Sequence, residues 1–257
     1  MWIQSTWAGI EPLVAQLNKR PEILLTGLKN IFGPLIAEYT FNYLLEHVRQ
    51  SEAYKANQKK GFWPLNNETP GTLQNLTLCI IGSGSIGCHV AKVAQVFGMN
   101  VIGVSRRTPT RKEIINSDLV HFREISQDMK YAVSKADFVL ACLPDTASTK
   151  NIINTSIFSA MKNSAIIINV GRGASLNLDD LLTALRTGGI SGAILDVLPD
   201  EPLASDSPLW QEPKLTITPH IAAASTPRNV AELFLENLAR INTNQALMFQ
   251  IDIDQGY

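Results

Sequence analysis

Three side chains far apart in this sequence carry complementary chemistry. Arg172, in IINVGRGASLN (residues 167–177), is a permanent cation set between two glycines. GAILDVLPDEPL (192–203) supplies the acids Asp196, Asp200 and Glu201. His220, in ITPHIAAAS (217–225), can give or take a proton near neutral pH. Each lies just past a short apolar run, as does Leu143-Pro144 in LACLPDTAST (140–149). If those runs are parallel strands, their carboxyl ends open onto one ligand crevice, where a cation, a carboxylate and an imidazole would meet. Singly, each residue has an ordinary structural reading: a surface arginine, a solvated loop acid, a histidine after a strand. Their joint occurrence beside a nucleotide loop carries the functional one.

That loop is Gly82-Ser83-Gly84-Ser85-Ile86-Gly87, in the pattern G-x-G-x-x-G. Gly82 permits the tight turn off a strand, Gly84 lets backbone approach a pyrophosphate, and Gly87 lets the following helix pack closely. The first turn of that helix, with Ser85 and Ile86, offers its amides to phosphate. The pattern alone is weak; its place between an apolar run and a helical stretch strengthens it. An NAD site would place an acid at the end of the next strand, to take the ribose hydroxyls. Here stand Ser105, Arg106 and Arg107. A carboxylate would repel a 2′-phosphate, whereas guanidinium groups pair with it in a forked, charge-assisted way and a serine can donate to it. The residues therefore favour NADP(H), with NAD(H) the other candidate; two solvated arginines at a strand end are the plainer reading.

Nearly unbroken apolar runs at 76–81, 101–104, 138–142, 165–170, 193–197 and 215–217 predict strands covered on both faces. Helical patterns fall between them at 87–97, 125–135, 155–160 and 178–187, the last capped by Asn177 and closed by Gly188-Gly189. This alternation predicts an α/β fold with a doubly wound parallel (Rossmann) sheet. Long helices are expected at 33–48 and 226–242, with a polar stretch at 49–60 and a turn-rich segment at 61–71.

With 257 residues and a net charge of −1, the chain has no broad basic surface for nucleic acid or an anionic membrane. Three cysteines in apolar segments read as buried thiols, with no metal-ligand spacing to the four histidines. No stretch reaches the ~18 apolar residues of a membrane helix, and no leader pattern is visible. These features predict a cytoplasmic protein without a metal. A serine hydrolase finds no G-x-S-x-G elbow.

The motifs GSGSIG, LPDTAST, INVGRG, LDVLPDEPL followed by PLW, and TPHIAA, in this order, resemble the D-isomer-specific 2-hydroxyacid dehydrogenases. The Ser-Arg-Arg strand end, STWAG (5–9) and PHIAA look most like the NADPH-preferring glyoxylate/hydroxypyruvate reductase branch. The resemblance implies His220 as general acid, Glu201 holding its imidazole and favouring the protonated form, and Arg172 gripping the substrate carboxylate. It implies Asp196 at the nicotinamide end of the cofactor, with Leu143, Pro144 and Val170 lining the ring. Backbone amides around Ala8 and Gly9 would help hold the substrate carboxylate, and Trp7 would shape its pocket. It also implies a homodimer, with Trp63 a candidate contact. A cofactor domain at 33–222 is expected, and a flavodoxin-like substrate lobe from 1–32 and 223–257. Family members carry more chain before STWAG, so this lobe is expected to be incomplete at its N-terminus, which puts turnover in question more than cofactor binding. A nucleotide-binding regulatory or scaffolding protein is the competing expectation.

Overall fold

The structure, a computed structural model, describes all residues except 8, 18–19, 21, 65–70, 107–108, 116 and 254–257. In chain order the elements are β1 (Trp2–Gln4), α1 (Glu11–Leu17), β2 (Leu24–Thr26), α2 (Gly33–Val48) and α3 (Ser51–Lys59). There follow β3 (Thr77–Ile81), α4 (Ser85–Val96), β4 (Asn100–Val104), α5 (Arg111–Ile115), β5 (Glu124–Ser126), α6 (Met129–Lys135) and β6 (Phe138–Ala141). The last are α7 (Thr155–Phe158), β7 (Ile166–Asn169), α8 (Leu178–Thr187), β8 (Gly192–Leu195), β9 (Leu215–Ile217) and α9 (Pro227–Asn242).

Seven strands form one sheet in the order β5-β4-β3-β6-β7-β8-β9, every pairing parallel. The chain winds outward from β3 in one direction, then returns beside β3 with β6 and winds the other way. The switch point therefore lies between the carboxyl ends of β3 and β6, where a doubly wound sheet opens a crevice. The continuous apolar runs have a simple cause. Alternate residues face opposite sides, and both sides are covered. Leu78, Ile80, Leu140 and Ile168 pack beneath α2 and α4. Cys79, Ile81, Val139 and Ile167 pack against α6, α7 and α8.

A separate pair of short parallel strands, β1 and β2, lies outside this sheet. It packs around Ile10, Leu17, Ile23 and Leu25 and is closed by the C-terminal tail, whose Ile251 joins that cluster. Trp2 stacks on Phe234 of α9 at 5.1 Å. Asn237, fully buried in α9, donates to Gln4 Oε1 at 3.1 Å and accepts from the Met248 amide at 2.8 Å.

One expectation is corrected. Residues 125–135 are not one helix: Glu124–Ser126 pairs with β4 as an edge strand before α6 begins at Met129. The polar stretch 49–60 contains α3, which buries none of its residues. Among the described residues no helix is long and apolar enough to cross a membrane.

Candidate active site

The phosphate loop has the local form its glycines predict. Gly82 adopts φ 110°, a region open in practice only to glycine. Gly84 is the N-cap of α4, so the first amides of the helix point outward past it. A methyl group at Gly87 would collide with the Gly82 carbonyl oxygen, whereas one at Gly84 would meet nothing within 4 Å. The close packing and the open approach thus fall on the glycines that dinucleotide binding requires, and the loop fits such a cofactor. Beneath it, Cys142 Sγ donates to the Gly82 carbonyl at 3.0 Å, and burial pushes this thiol up to about 12. Ser105 and Arg106 follow β4 at the same edge of the sheet, with Arg106 exposed. Its backbone carbonyl accepts from Gln127 Nε2 at 2.5 Å. Arg107 lies outside the described residues.

Arg172 follows β7 on a turn shaped by Asn169. This buried amide accepts from the Gly171 N–H at 3.1 Å and donates to the Arg172 carbonyl at 3.2 Å. The two flanking glycines serve their neighbours. A methyl group at Gly171 would sit 2.6 Å from the backbone N and O of Leu143; one at Gly173 would overlap the backbone of Leu198 and Pro199. The Leu143-Pro144 loop and the loop leading to Glu201 are therefore pressed against the two sides of Arg172. Val170, at the end of β7, is buried.

His220 and Glu201 form a pair, Nδ1 to Oε2 at 2.8 Å. The other carboxylate oxygen accepts from the Leu198 amide at 2.8 Å, which fixes the acid. The imidazole is half exposed, leaving its Nε2 edge open to a ligand. His220 has φ 55°, a left-handed backbone that a β-carbon disfavours. Asp196 is buried and holds that conformation from beneath. Its Oδ1 accepts from the Thr218 hydroxyl at 2.6 Å and the Ile221 amide at 2.9 Å, and its Oδ2 from the Ala222 amide at 2.9 Å.

One cleft of about 1070 Å³ joins these parts to the small lobe. Arg172 and His220 line one wall; Ser5, Trp7, Gly9 and Phe32 line the other. Trp7 is exposed on its rim, and Ser225 Oγ bridges the walls by donating to the Thr6 carbonyl at 3.2 Å. Ala8 lies outside the described residues. On the far side of His220 a second, mainly apolar cavity of about 550 Å³ is bounded by Asp196, Glu201, Leu203 and Trp210. The sequence reading did not find Asn169, Thr218 or Tyr39, whose hydroxyl lies 2.7 Å from Thr218 Oγ1. Asn169 and Thr218 lie within INVGRG and TPHIAA, though no role was read for either, and Tyr39 lies outside every motif; only the fold brings it to the site.

Residues 41–222 match the family described as D-isomer specific 2-hydroxyacid dehydrogenase, NAD binding domain. The chain is 32% identical over 256 residues to glyoxylate/hydroxypyruvate reductase A of Photorhabdus laumondii, an alignment spanning 97% of this chain and 79% of the relative. A D-isomer specific 2-hydroxyacid dehydrogenase family protein of Aeromonas salmonicida superposes with a TM-score of 0.86 at 40% identity, over 98% of this chain and 79% of that one. An NADPH-dependent glyoxylate/hydroxypyruvate reductase of Sinorhizobium meliloti, in complex with NADP and sulfate, gives a TM-score of 0.87 at 27% identity, over 100% of this chain and 80% of that one. With most of this chain matched by the family's domain and the fold shared, this chain belongs to the D-isomer specific 2-hydroxyacid dehydrogenases, NAD(P)-dependent oxidoreductases acting on 2-hydroxy and 2-oxo acids.

Proposed function

We propose that the chain reduces a small 2-oxo acid of the glyoxylate or hydroxypyruvate type to the D-2-hydroxy acid, with NADPH as the preferred cofactor and NADH as a poorer one. The observation that carries this reading is the cleft lined by both Arg172 and His220, with Glu201 paired to the imidazole behind it. In it, the Arg172 guanidinium grips the substrate carboxylate in a forked contact and draws electron density from the adjacent keto group. His220 gives the proton on Nε2 to the carbonyl oxygen as that oxygen gains charge. Glu201, anchored by the Leu198 amide, keeps Nδ1 protonated and the ring aimed. Trp7 and the Gly9 backbone close the opposite wall and limit substrate size. A bound reduced nicotinamide supplies the hydride. Gly82, Gly84 and the first turn of α4 would hold its pyrophosphate; Leu143, Pro144, Val170 and Asp196 would flank its ring. Ser105, Arg106 and Arg107 would read the 2′-phosphate. Under this reading residues 33–222 are the cofactor domain, and 1–32 with 223–257 the substrate lobe. An NADPH-dependent relative and another solved in complex with NADPH, both sharing this fold, support the cofactor preference.

The test is NADPH oxidation by the purified chain with a panel of 2-oxo acids. Turnover is expected with the smallest members and is lost in H220N, whose asparagine tolerates the left-handed backbone but cannot act as the acid. R106A/R107A is expected to weaken NADPH far more than NADH. Intact NADPH binding with no oxidation of any 2-oxo acid overturns the catalytic reading; equal weakening of both cofactors overturns the phosphate reading.

A further inference from the structure

We propose that Tyr39, acting through Thr218 and Asp196, is a positioning residue that clamps the backbone of His220 and so sets the aim of its imidazole. The inference rests on His220 being the proton donor proposed above.

The geometry is a directed chain of hydrogen bonds. Asp196 ionised can only accept, so the single proton of the Thr218 hydroxyl goes to Asp196 Oδ1 at 2.6 Å. With that proton spent, the 2.7 Å contact between Tyr39 and Thr218 has one polarity: the phenol donates and the Thr218 oxygen accepts. Burial raises the phenol's pKa, so Tyr39 keeps its proton and stays a donor across the working range. Each bond polarises the next, and a donor behind Thr218 strengthens its own donation to the carboxylate.

The chain ends on the strained residue. Asp196 grips the segment on both sides of His220, at the Thr218 side chain before it and at the Ile221 and Ala222 amides after it. The His220 amide itself donates to the Asp196 backbone carbonyl at 2.9 Å. A non-glycine residue at φ 55° persists only where its surroundings hold it there. These contacts do so, and Glu201 fixes the ring from a different loop. Three protein donors occupy three of the carboxylate's four or so acceptor positions. One stays open on Oδ2, so Asp196 can still meet a nicotinamide amide while serving as the clamp. Tyr39 stands on α2, 179 residues from Thr218, so the clamp couples that helix to the acid.

The experiment compares Y39F, T218V, T218S and the Y39F/T218V double variant in kcat, in KM for glyoxylate and in NADPH affinity. T218V is expected to lower kcat roughly tenfold, the size of one charge-assisted hydrogen bond, and Y39F roughly threefold. KM and NADPH affinity stay within about twofold. T218S, which keeps the hydroxyl, recovers most of the loss. The double variant falls no further than T218V, because Tyr39 acts only through that hydroxyl. Additive losses, a T218S as poor as T218V, or full kcat in T218V overturns the clamp. A second readout needs no turnover. The ring resonances of His220, one of four histidines and assigned by their loss in H220N, move in T218V and return in T218S. Resonances unmoved in both T218V and Y39F overturn the clamp whether or not the chain reduces a 2-oxo acid.

Discussion

Replacing Gly84 with alanine should separate cofactor binding from folding. Gly84 sits at φ −79°, ψ −166°, a backbone alanine adopts freely, and its new methyl would meet nothing within 4 Å. The change removes unfolded-state freedom, worth ~0.4–1 kcal/mol in favour of the fold. It replaces a favourable N-cap residue by a poor one, costing ~0.5–1 kcal/mol. The two nearly cancel, so the melting temperature should move by less than about 2 °C. The methyl nevertheless occupies the open approach above the first turn of α4. If a pyrophosphate enters there, it loses at least one charge-assisted bond, and NADPH affinity should fall roughly 10- to 100-fold. Gly87→Ala is the contrasting control. Alanine gains about 1 kcal/mol of helix propensity. Its methyl, however, collides with the Gly82 carbonyl oxygen and lies 3.0 Å from Ile80 Cγ2, an overpacking of the order of 1–3 kcal/mol that backbone cannot easily relieve. G87A should therefore melt at a lower temperature and also bind poorly. Thermal melts beside fluorescence titration with NADPH read both quantities. A G84A variant that binds NADPH as the parent does would refute the placement of the pyrophosphate, and one that melts several degrees lower would refute the open space.

Three further outcomes follow from particular contacts. R172K keeps the charge but loses the fork, so kcat/KM for the 2-oxo acid should fall about 100-fold, read by steady-state kinetics; a loss confined to NADPH affinity would show that Arg172 serves the cofactor instead. Burial pushes Cys79 and Cys142 up to about 12 and Cys88 up to about 11. All three thiols should thus resist a disulfide reagent at pH 8 in the native protein and react after denaturation, and rapid native labelling would contradict the packing. Burial also lowers the pKa of His47, which meets the Phe138 ring edge-on at 5.9 Å. A histidine with a lowered folded pKa is protonated first in the unfolded chain. Stability should therefore decline as pH falls below about 6.5, and H47Q should reduce that decline in acid-unfolding curves.

How much of this was legible in the sequence depended on whether a residue's partner was near it. The strands of the main sheet announced themselves because both faces are buried, which leaves no polar alternation in TLCII or IIIN. The edge strand β5 did not: EIS is three residues long and a single residue, Gln127, separates it from the cap of α6, so the helical period absorbed it. Helix α3 carries no apolar stripe at all; what the sequence could show is the Glu52–Lys55 pair, spaced for a helix and closed at 2.7 Å. Arg172, Glu201 and His220 were visible as residue types at strand ends, since a parallel sheet sends all its carboxyl ends to one side.

The reason for the glycines around Arg172 was not legible, and it changes how the site works. Read along the chain, GRG shows only a cation set between two glycines. In space, Gly171 and Gly173 are the only residue type that lets two other loops touch this one. One loop carries Leu143 and Pro144; the other runs from Leu198 to Glu201. The groups expected to meet the cofactor ring, the substrate carboxylate and the proton donor's partner are therefore held by backbone contact rather than by side-chain reach. A site built this way is organised before substrate arrives, and its cost falls on the folded state. His220 shows the same division. No glycine marks its left-handed backbone, because the strain is contained by Asp196, at the end of the neighbouring strand β8, and by the hydroxyls stacked behind it. Removing the histidine's restraint should thus leave the cleft standing and misdirect only the proton.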